Sequence, residues 1–332
     1  MNKTYILVDT ANTFFRARHV VRGGLEDKVG MSIHTTLGSI RKAWRDFKGD
    51  HVVFCLEGRS WRKDYYAPYK RQRSEARAAA SPREQEEDRV FWETFDQFKD
   101  FIVSRTNSTV LQHPALEADD LIAGFVQSHP NDNHVIISTD GDFAQLIAPN
   151  VKQYNGVSNI TITHEGYFDE KGNRVLDKKT KEIKPPPDPQ WLLFEKCMRG
   201  DTSDNIFSAY PGVREKGSKN KVGLREAYVD RETKGYNWNN MMLQRWTDPD
   251  GAEHRVLDDY ERNRTLIDLT AQPEEVKAVV DAAIREQVSH KDIGQVGVRF
   301  MQFCGKYELN KCSESADSFG RWMNETYKGV LA

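Results

Sequence analysis

Acidic residues are concentrated in one stretch of the chain, at spacings that would bring several carboxylates together. Apolar residues recur at helical spacing after residue 116, so Glu117 and Asp120, three residues apart, share one face of a predicted helix. An apolar run over 134–137 predicts a buried strand that ends in a turn. The carboxylates expected to converge are those of Glu117, Asp119, Asp120, Asp140 and Asp142. Such crowding is unfavourable unless a cation or proton relieves it, and an oxygen-rich cluster suits Mg²⁺ or Mn²⁺.

A simpler interpretation of these acids is a solvated helix start and a surface turn. Acids in a first helical turn are favoured by the helix dipole alone. Either half of the stretch by itself favours this interpretation. The two halves together, with Asp9 and the acids near position 200, favour a metal site instead.

Two further strands end in an acid and must help to position the cluster. The apolar run over 5–8 is followed at once by Asp9, and the run over 51–56 is followed by Glu57. Open α/β sheets bind their ligands at the carboxyl ends of parallel strands, so both acids are expected at that edge. Asp9 could instead cap a helix, which is a common role for aspartate.

Composition indicates a globular chain of one large domain or two domains. It has 332 residues, of which 30% are charged and 38% hydrophobic, with a net charge of −2. Apolar runs are too short for a signal peptide or a membrane span, so we expect a cytoplasmic protein without membrane association. The four cysteines are scattered without a CxxC pair, which argues against a zinc site and a disulfide framework.

The segment 59–77 has a different character, because seven cations alternate with aromatic residues. Trp61, Tyr65, Tyr66 and Tyr69 lie among arginines and lysines. Such a surface neutralises phosphates and stacks on unpaired bases. A solvated charged helix with a few buried rings is the alternative. A helix break is predicted over 76–82, so the region 59–90 could form a mobile helical arch.

The proline-rich segment 184–189 is the clearest boundary in the chain. Asp188 can cap the helix that follows, with Pro189 at its first position. Two acids, Asp201 and Asp204, come after the end of that helix. A basic, glycine-punctuated loop then begins, and it can hold a phosphodiester backbone or can simply be solvated. Its cations are Arg214, Lys216, Lys219 and Lys221.

These segments, in this order, resemble the flap endonuclease superfamily of 5′-3′ exonucleases, and within it the T-even phage ribonuclease H branch. The matching motifs cover about two thirds of the chain; they are Val8-Asp9, Phe54-Cys55-Leu56-Glu57, Trp61-Arg62-Lys63-Asp64, Tyr69-Lys70-Arg71-Gln72-Arg73, Glu117-Ala118-Asp119-Asp120, Ser138-Thr139-Asp140-Gly141-Asp142-Phe143 and Gly200-Asp201-Thr202-Ser203-Asp204-Asn205. The resemblance implies an α/β fold with a parallel-sheet, PIN-like nuclease core over 1–187 that includes the arch. It also implies a smaller all-helical domain over 188–332 with a helix–three-turn–helix element near 200–230.

The resemblance also implies roles for individual residues. A first metal ion would be held by Asp9, Glu57, Glu117, Asp119 and Asp140. A second would be supported by Asp142, Asp201 and Asp204, with Asp120 bridging or lying behind them. Lys70 and Arg62 would contact the scissile phosphate, and Tyr69 would stack on the terminal nucleotide. Further nucleic-acid contacts are expected from Arg71, Arg73 and Arg77 and from the basic loop. Glu57 departs from the family's usual Asp, and the loop lacks the glycine spacing that binds K⁺ in relatives.

The implied activity is two-metal hydrolysis of phosphodiesters at 5′ ends, flaps and RNA primers, with Mg²⁺ or Mn²⁺ as cofactor. Implied partners are DNA and RNA–DNA duplexes, a single-stranded-DNA-binding protein and a sliding clamp in phage lagging-strand replication, with the enzyme as a monomer. The alternatives are a PIN-type ribonuclease and a non-catalytic DNA-junction binder. A haloacid dehalogenase phosphatase would need a second aspartate two residues after Asp9, where Ala11 stands.

Overall fold

Two compact units make up the described part of the chain, which a computed structural model covers at residues 2–20, 24–219 and 221–331. The bounds of the first unit are the described parts of Met1–Ser60, Ala79–Pro187 and Glu274–Ala332. The bounds of the second unit are Trp61–Ala78 and Asp188–Pro273.

Seven strands of the first unit form one sheet. Their bounds are β1 (Thr4–Asp9), β2 (His51–Leu56), β3 (Thr109–Gln112), β4 (Asn133–Ile137), β5 (Val151–Asn155), β6 (Ile160–Thr163) and β7 (Gly166–Phe168). The spatial order is β3-β2-β1-β4-β5-β6-β7. The pairs from β3 through β5 are parallel, and β6 and β7 add to β5 as an antiparallel edge. The predicted α/β fold with a parallel sheet is therefore confirmed.

Helices connect and cover the strands. Their bounds are α1 (Thr10–Val20), α2 (Leu25–Phe47), α3 (Arg62–Tyr65), α4 (Arg71–Ala78), α5 (Pro82–Arg105), α6 (Ala118–Ser128), α7 (Pro189–Arg199), α8 (Leu224–Val229), α9 (Tyr236–Met242), α10 (Val256–Ile267), α11 (Glu274–Gln287), α12 (Val296–Lys306), α13 (Asn310–Glu314) and α14 (Ala316–Asn324). A 3₁₀ helix spans Gly141–Leu146. Among the helices of the described ranges, none combines the length and the apolar character needed to cross a membrane.

The central strands are apolar on both faces because helices cover both. Every residue of β2 is buried, as is typical of a strand inside a parallel sheet. Ile6, Val8 and Phe54 pack in the same core cluster as residues of α2, α5, α12 and α14. On the other side, α6 contacts β1 and β2 and packs against α11. Gly124 permits that close packing, since a Cβ there would lie 2.2 Å from Val280.

The strand order reverses at β1, and this determines where a site can form. The chain runs from β1 outward to β2 and β3 and then returns to β4 on the other side of β1. The carboxyl ends are level, because Asp9 pairs with Cys55 and Val8 pairs with Ile137. A reversal of this kind leaves a crevice at the carboxyl ends of the two central strands.

The last segment of the chain returns to the first unit. This placement differs from the prediction, in which residues 188–332 form one all-helical domain. The ring of Phe303 on α12 stacks on Phe101 of α5 at a centroid distance of 4.3 Å. Trp322 on α14 is fully buried against Phe54 of β2. These aromatic contacts supply the packing that places Glu274–Ala332 in the same unit as the sheet.

The second unit is mainly helical and contains a short antiparallel hairpin, β8 (Arg245–Thr247) and β9 (Glu253–Arg255). The Asp188 carboxylate accepts a hydrogen bond from the backbone of Trp191 at 3.0 Å, and Pro189 occupies the first turn of α7. The predicted cap is therefore confirmed. The hairpin is an addition to the predicted all-helical domain. Residues Trp61–Ala78, expected in the nuclease core as part of the arch, belong to this unit.

Candidate metal centre

Asp9 lies at the carboxyl end of β1 and is almost completely buried. Its carboxylate accepts a hydrogen bond from the Ser138 hydroxyl at 2.7 Å. Burial, then the charge of Glu57 and to a smaller extent that of Asp140, raises the pKa of Asp9 to about 7, while the hydrogen bond from Ser138 opposes the rise. Negative charge therefore accumulates where the strand order reverses, and a bound cation would relieve it.

Glu57 follows β2, and the next residue ties the strand end to the start of α6. The backbone N–H of Gly58 donates to the carbonyl of Leu116 at 2.8 Å. A Cβ at Gly58 would lie 2.1 Å from the carbonyl oxygen of His113, so only glycine fits this approach. The Glu57 carboxylate accepts a hydrogen bond from the backbone of Ala118 at 3.3 Å. The end of β2 and the first turn of α6 thus form one framework.

The start of α6 brings three acids together. Glu117 is 4% exposed and accepts a hydrogen bond from the Ser60 hydroxyl at 2.8 Å. Asp120 is fully buried, and its carboxylate accepts from the backbone of Glu117 at 3.0 Å. Asp119 is half-buried, and its carboxylate accepts from the backbone of Asp120 at 2.9 Å. One carboxylate oxygen from each of the three lies within 4.8 Å of the others.

Asp140 and Asp142 lie just beyond the end of β4, on a turn held by several hydrogen bonds. The Ser138 hydroxyl accepts from the backbone of Asp140 at 3.0 Å, and the Asp140 carboxylate accepts from the backbone of Asp142 at 3.0 Å. The Gln153 amide donates to the carbonyls of Ser138 and Asp140. Asp140 is exposed and Asp142 is half-buried. Both acids are therefore presented on a rigid turn.

The donor set in the first unit fits a hard divalent cation. Glu117, Asp119 and Asp120 offer oxygen ligands within one small volume, and Asp9 interacts electrostatically with Glu57 and Asp140. Oxygen ligands from carboxylates are those that Mg²⁺ and Mn²⁺ prefer. The sequence predicted the acids but not the hydroxyls that orient them. Ser138 follows β4 inside the recognised motif, whereas Ser60 has no sequence signal that would identify it.

The two remaining predicted ligands, Asp201 and Asp204, lie in the second unit and are paired with cations. Lys196 lies 2.7 Å from the Asp201 carboxylate, which also accepts from the Ser203 hydroxyl. Burial opposes ionisation, yet these partners lower the pKa of Asp201. Asp204 lies 2.6 Å from the Arg73 guanidinium and 3.7 Å from the Lys70 ammonium. The assignment of this pair of acids to a second ion rests on the resemblance.

Tyr69 is placed differently from its predicted role of stacking on a nucleotide. Its ring is only 3% exposed and packs with Cys197, Ile206 and Leu266, and its hydroxyl donates to Asp204 at 3.1 Å. The neighbouring Lys70 has a left-handed backbone with φ of 53°, and its N–H donates to the carbonyl of Asp204. In this conformation Tyr69 is a core residue that anchors the segment carrying Lys70.

Arg62 is also buried, at 1% exposure, which differs from the predicted contact with a phosphate. Its Nε donates to the carbonyl of Leu266 at 2.7 Å. Its guanidinium carbon lies 4.8 Å from the centre of the Trp61 ring. A phosphate contact by Arg62 therefore requires this side chain to leave its present partners.

The remaining predicted nucleic-acid contacts lie on exposed surface. Helix α4 has no buried residue, so its cations are exposed, although Arg73 is ion-paired with Asp204. In the basic loop the backbone N–H groups of Gly217 and Gly223 both donate to the Glu226 carboxylate at 2.9 Å, which ties these two glycines to each other. The exposed cations of these two elements are Arg71, Arg73, Arg77, Arg214, Lys216, Lys219 and Lys221.

A doubly wound sheet with carboxylates at its switch point defines an α/β protein with a candidate divalent-metal centre. The chain belongs to the family of the 5′-3′ exonuclease N-terminal resolvase-like domain, whose model matches residues 4–173. The predicted membership of the 5′-3′ exonuclease family is thereby confirmed.

Individual relatives agree with this family. The chain is 26% identical over 235 residues to DNA polymerase I of Chloroflexus aurantiacus, covering 67% of this chain and 22% of that protein. It is 28% identical over 198 residues to ribonuclease H of Enterobacteria phage T4, covering 55% of this chain and 56% of that protein. The chain thus spans about a fifth of the polymerase and just over half of the ribonuclease.

A solved structure shares the fold. The bacteriophage T5 flap endonuclease in a pseudo-enzyme-product complex with DNA and metal ions has a TM-score of 0.57 and 17% sequence identity. The similarity covers 96% of this chain and 100% of that one. The predicted fold class therefore has direct structural support.

Proposed function

We propose that this chain is a metal-dependent 5′ nuclease that hydrolyses phosphodiesters at 5′ ends and flaps of DNA and of RNA primers paired with DNA. The observation that carries the proposal is the group of three acids at the start of α6, beside Asp9 and Glu57, in a chain of the 5′-3′ exonuclease family. The RNA part of the proposal is supported by the relative named ribonuclease H, and the flap part by the flap endonuclease fold.

The acids of the first unit hold divalent cations in this proposal, Mg²⁺ by preference and Mn²⁺ as a substitute. When bound, such cations activate water for attack on phosphorus and stabilise charge on the leaving oxygen. Ser138 and Ser60 hold the carboxylates of Asp9 and Glu117 in fixed orientations through their hydrogen bonds. Preorganisation of this kind means that little reorganisation is needed when the ion enters.

Cations of the second unit bind the substrate's phosphates in this proposal. Lys70 stabilises charge on the scissile phosphate after it exchanges its partner Asp204 for a phosphate oxygen. The exposed lysines and arginines of α4 and the basic loop neutralise backbone phosphates without reading sequence. K⁺ binding at the helix–three-turn–helix element also belongs to the proposal and rests on the resemblance, although the loop lacks the glycine spacing of the relatives. A replication role with a single-stranded-DNA-binding protein and a sliding clamp is part of the same proposal and rests on the resemblance.

Cleavage of end-labelled flap, nicked and RNA–DNA substrates, with Mg²⁺ or with EDTA, tests the proposal. We expect 5′-end products only with the metal, and we expect Asp119→Asn to abolish them, because Asp119 offers one of the three clustered ligand oxygens and is less buried than Glu117 and Asp120. Asp100→Asn, an exposed acid on α5, is the matched control and should cleave normally. Cleavage in EDTA, or by Asp119→Asn at the wild-type rate, would refute the metal centre. Tight flap binding without cleavage in Mg²⁺ or Mn²⁺ would identify a non-catalytic junction binder instead.

A further inference from the structure

A partly exposed aromatic surface lies in the second unit, formed by the exposed Tyr65 and Phe207 and the half-buried Trp61 and Tyr66. Tyr65 and Phe207 are 52% and 55% exposed, which is high for aromatic side chains of this size. The rings form two edge-to-face pairs, Trp61 with Tyr65 and Tyr66 with Phe207, each with centroids 6.3 Å apart. The two pairs are continuous in sequence through Tyr65 and Tyr66.

The backbone on both sides of this aromatic surface is fixed. Phe207 follows a turn in which Asp201 and Ile206 exchange two backbone hydrogen bonds, at 2.8 and 2.9 Å. The Phe207 carbonyl accepts from the amide of buried Asn263 at 2.8 Å and from Arg262 at 3.3 Å. Its backbone also makes a hydrogen bond to Tyr66. The exposed ring of Phe207 is therefore held outward by its backbone.

Cations border the rings. The guanidinium carbon of Arg262 lies 5.0 Å from the centre of the Tyr66 ring. The guanidinium carbon of Arg62 lies 4.8 Å from the Trp61 ring, but this side chain is buried and does not present its charge to a phosphate. Lys63 is exposed between Trp61 and Tyr65 in sequence, next to the exposed Asp64. Asp259 offsets part of this positive charge through its ion pair with Arg262. Rings for bases together with cations for phosphates are the combination that binds unpaired nucleic acid.

We propose that Phe207 and Tyr65 are stacking positions for the unpaired nucleotides of a single strand. This inference deepens the proposed function and rests on it, because it names the residues that take the single-stranded part of the substrate. These two residues take the stacking role that the resemblance assigned to Tyr69. The Tyr69 ring is enclosed in the core, and its hydroxyl is hydrogen-bonded to Asp204. Phe207 lies outside the aromatic segment 61–69 and joins it through Tyr66.

The test is the affinity of the full chain for a short fluorescent oligothymidylate, in EDTA so that no cleavage occurs. Phe207→Ala should weaken binding about tenfold, the effect of removing one stacked base. The same substitution should leave binding of an abasic strand of equal length unchanged, because such a strand has phosphates but no bases. Phe207→Trp should restore the affinity. Leu243→Ala is the matched control, because Leu243 is also apolar and 59% exposed in the same unit.

The outcomes separate this inference from the proposed function. Unchanged oligothymidylate binding by Phe207→Ala overturns the inference, and equal weakening for the abasic strand does the same, because the effect would then be electrostatic. The inference is also overturned if the wild-type chain self-associates with increasing concentration and Phe207→Ala abolishes this self-association but keeps the wild-type affinity for the strand. Phe207 would then be a contact between copies of the chain. If the wild-type chain binds the oligothymidylate through Phe207 but never cleaves flaps in Mg²⁺, the proposed function fails and the stacking positions stand.

Discussion

Gly58→Ala tests whether the tie between β2 and α6 holds the candidate metal centre in place. The added methyl group would lie 2.1 Å from the carbonyl oxygen of His113 and 2.8 Å from those of Pro114 and Leu116. All three obstacles are backbone atoms, so no flexible side chain can move aside. The segment that leads into α6 must therefore shift away from the end of β2.

The size of the effect follows from the contacts that this shift breaks. The backbone of Gly58 donates to Leu116 and that of Arg59 donates to Pro114, at 2.8 and 2.6 Å. Each of the two lost hydrogen bonds costs about 1 kcal/mol, and overpacking adds about 1–3 kcal/mol, which gives roughly 3–5 kcal/mol of lost stability. Glu57 and Glu117 move with the displaced segments. We therefore expect Mn²⁺ affinity to fall by about tenfold or more, as happens when the support of a ligand is removed.

Urea unfolding followed by circular dichroism measures the first effect, and Mn²⁺ titration followed by electron paramagnetic resonance measures the second. Gly141→Ala is the matched control, because Gly141 lies between two of the acids and a Cβ there meets nothing within 4 Å. The control should be nearly neutral for both stability and Mn²⁺ affinity. A Gly58→Ala protein within about 0.5 kcal/mol of wild type, with unchanged Mn²⁺ affinity, would refute the proposed tie.

Three further predictions concern cleavage, binding and stability. Asp142→Asn should abolish flap cleavage in Mg²⁺ yet leave duplex binding intact in a mobility-shift assay, because the substitution removes a ligand charge and no phosphate contact. Replacing Lys216 and Lys219 by alanine should weaken duplex binding about equally for all sequences, and should reduce the slope of log affinity against log salt by roughly one unit per lost phosphate contact. Stability should fall as pH drops from about 6.5 to about 4, because burial lowers the pKa of His51 to about 4 in the folded chain while the unfolded chain takes up its proton near 6.5. The loss should reach about 3 kcal/mol in urea unfolding for this residue.

Each of these predictions has a result that contradicts it. Wild-type cleavage by Asp142→Asn would remove that residue from the metal centre. Two results would show that the basic loop has no special role: a loss of duplex affinity that depends on sequence, or an equal loss of affinity when Lys178 and Lys179, on another exposed loop, are replaced by alanine. A His51→Gln protein with the same decrease in stability below pH 6.5 as wild type would assign the pH dependence to other groups.

The sequence predicted the elements that have a strong local signal. The strands at 5–8, 51–56 and 134–137 lie where expected, because short continuous apolar runs are typical of buried parallel strands. The start of α6 and the cap of α7 were also predictable, since both depend on side chains a few residues apart. The acids at the switch point follow from those strands.

Long-range packing could not be predicted in the same way. An amphipathic pattern predicts that Glu274–Gln287 is helical, but it does not identify α6 as the helix that it packs against. The burial of Arg62 and Tyr69 could not be predicted for the same reason. A sequence of interleaved aromatic residues and cations does not show which side chains face the interior. Only Tyr65 of the adjacent tyrosine pair is more than half exposed.

The Asp204 carboxylate already interacts with an ammonium, a guanidinium and a phenol. Another cation that associates with it would compete with Lys70 and Arg73 for the same charge. Each side chain that is displaced becomes available to an anion such as a phosphate. Cation binding and phosphate binding are then linked, and each must raise the affinity of the other by the same factor. The ion pair that neutralises Asp204 at rest would in this way make occupation by metal and by nucleic acid cooperative.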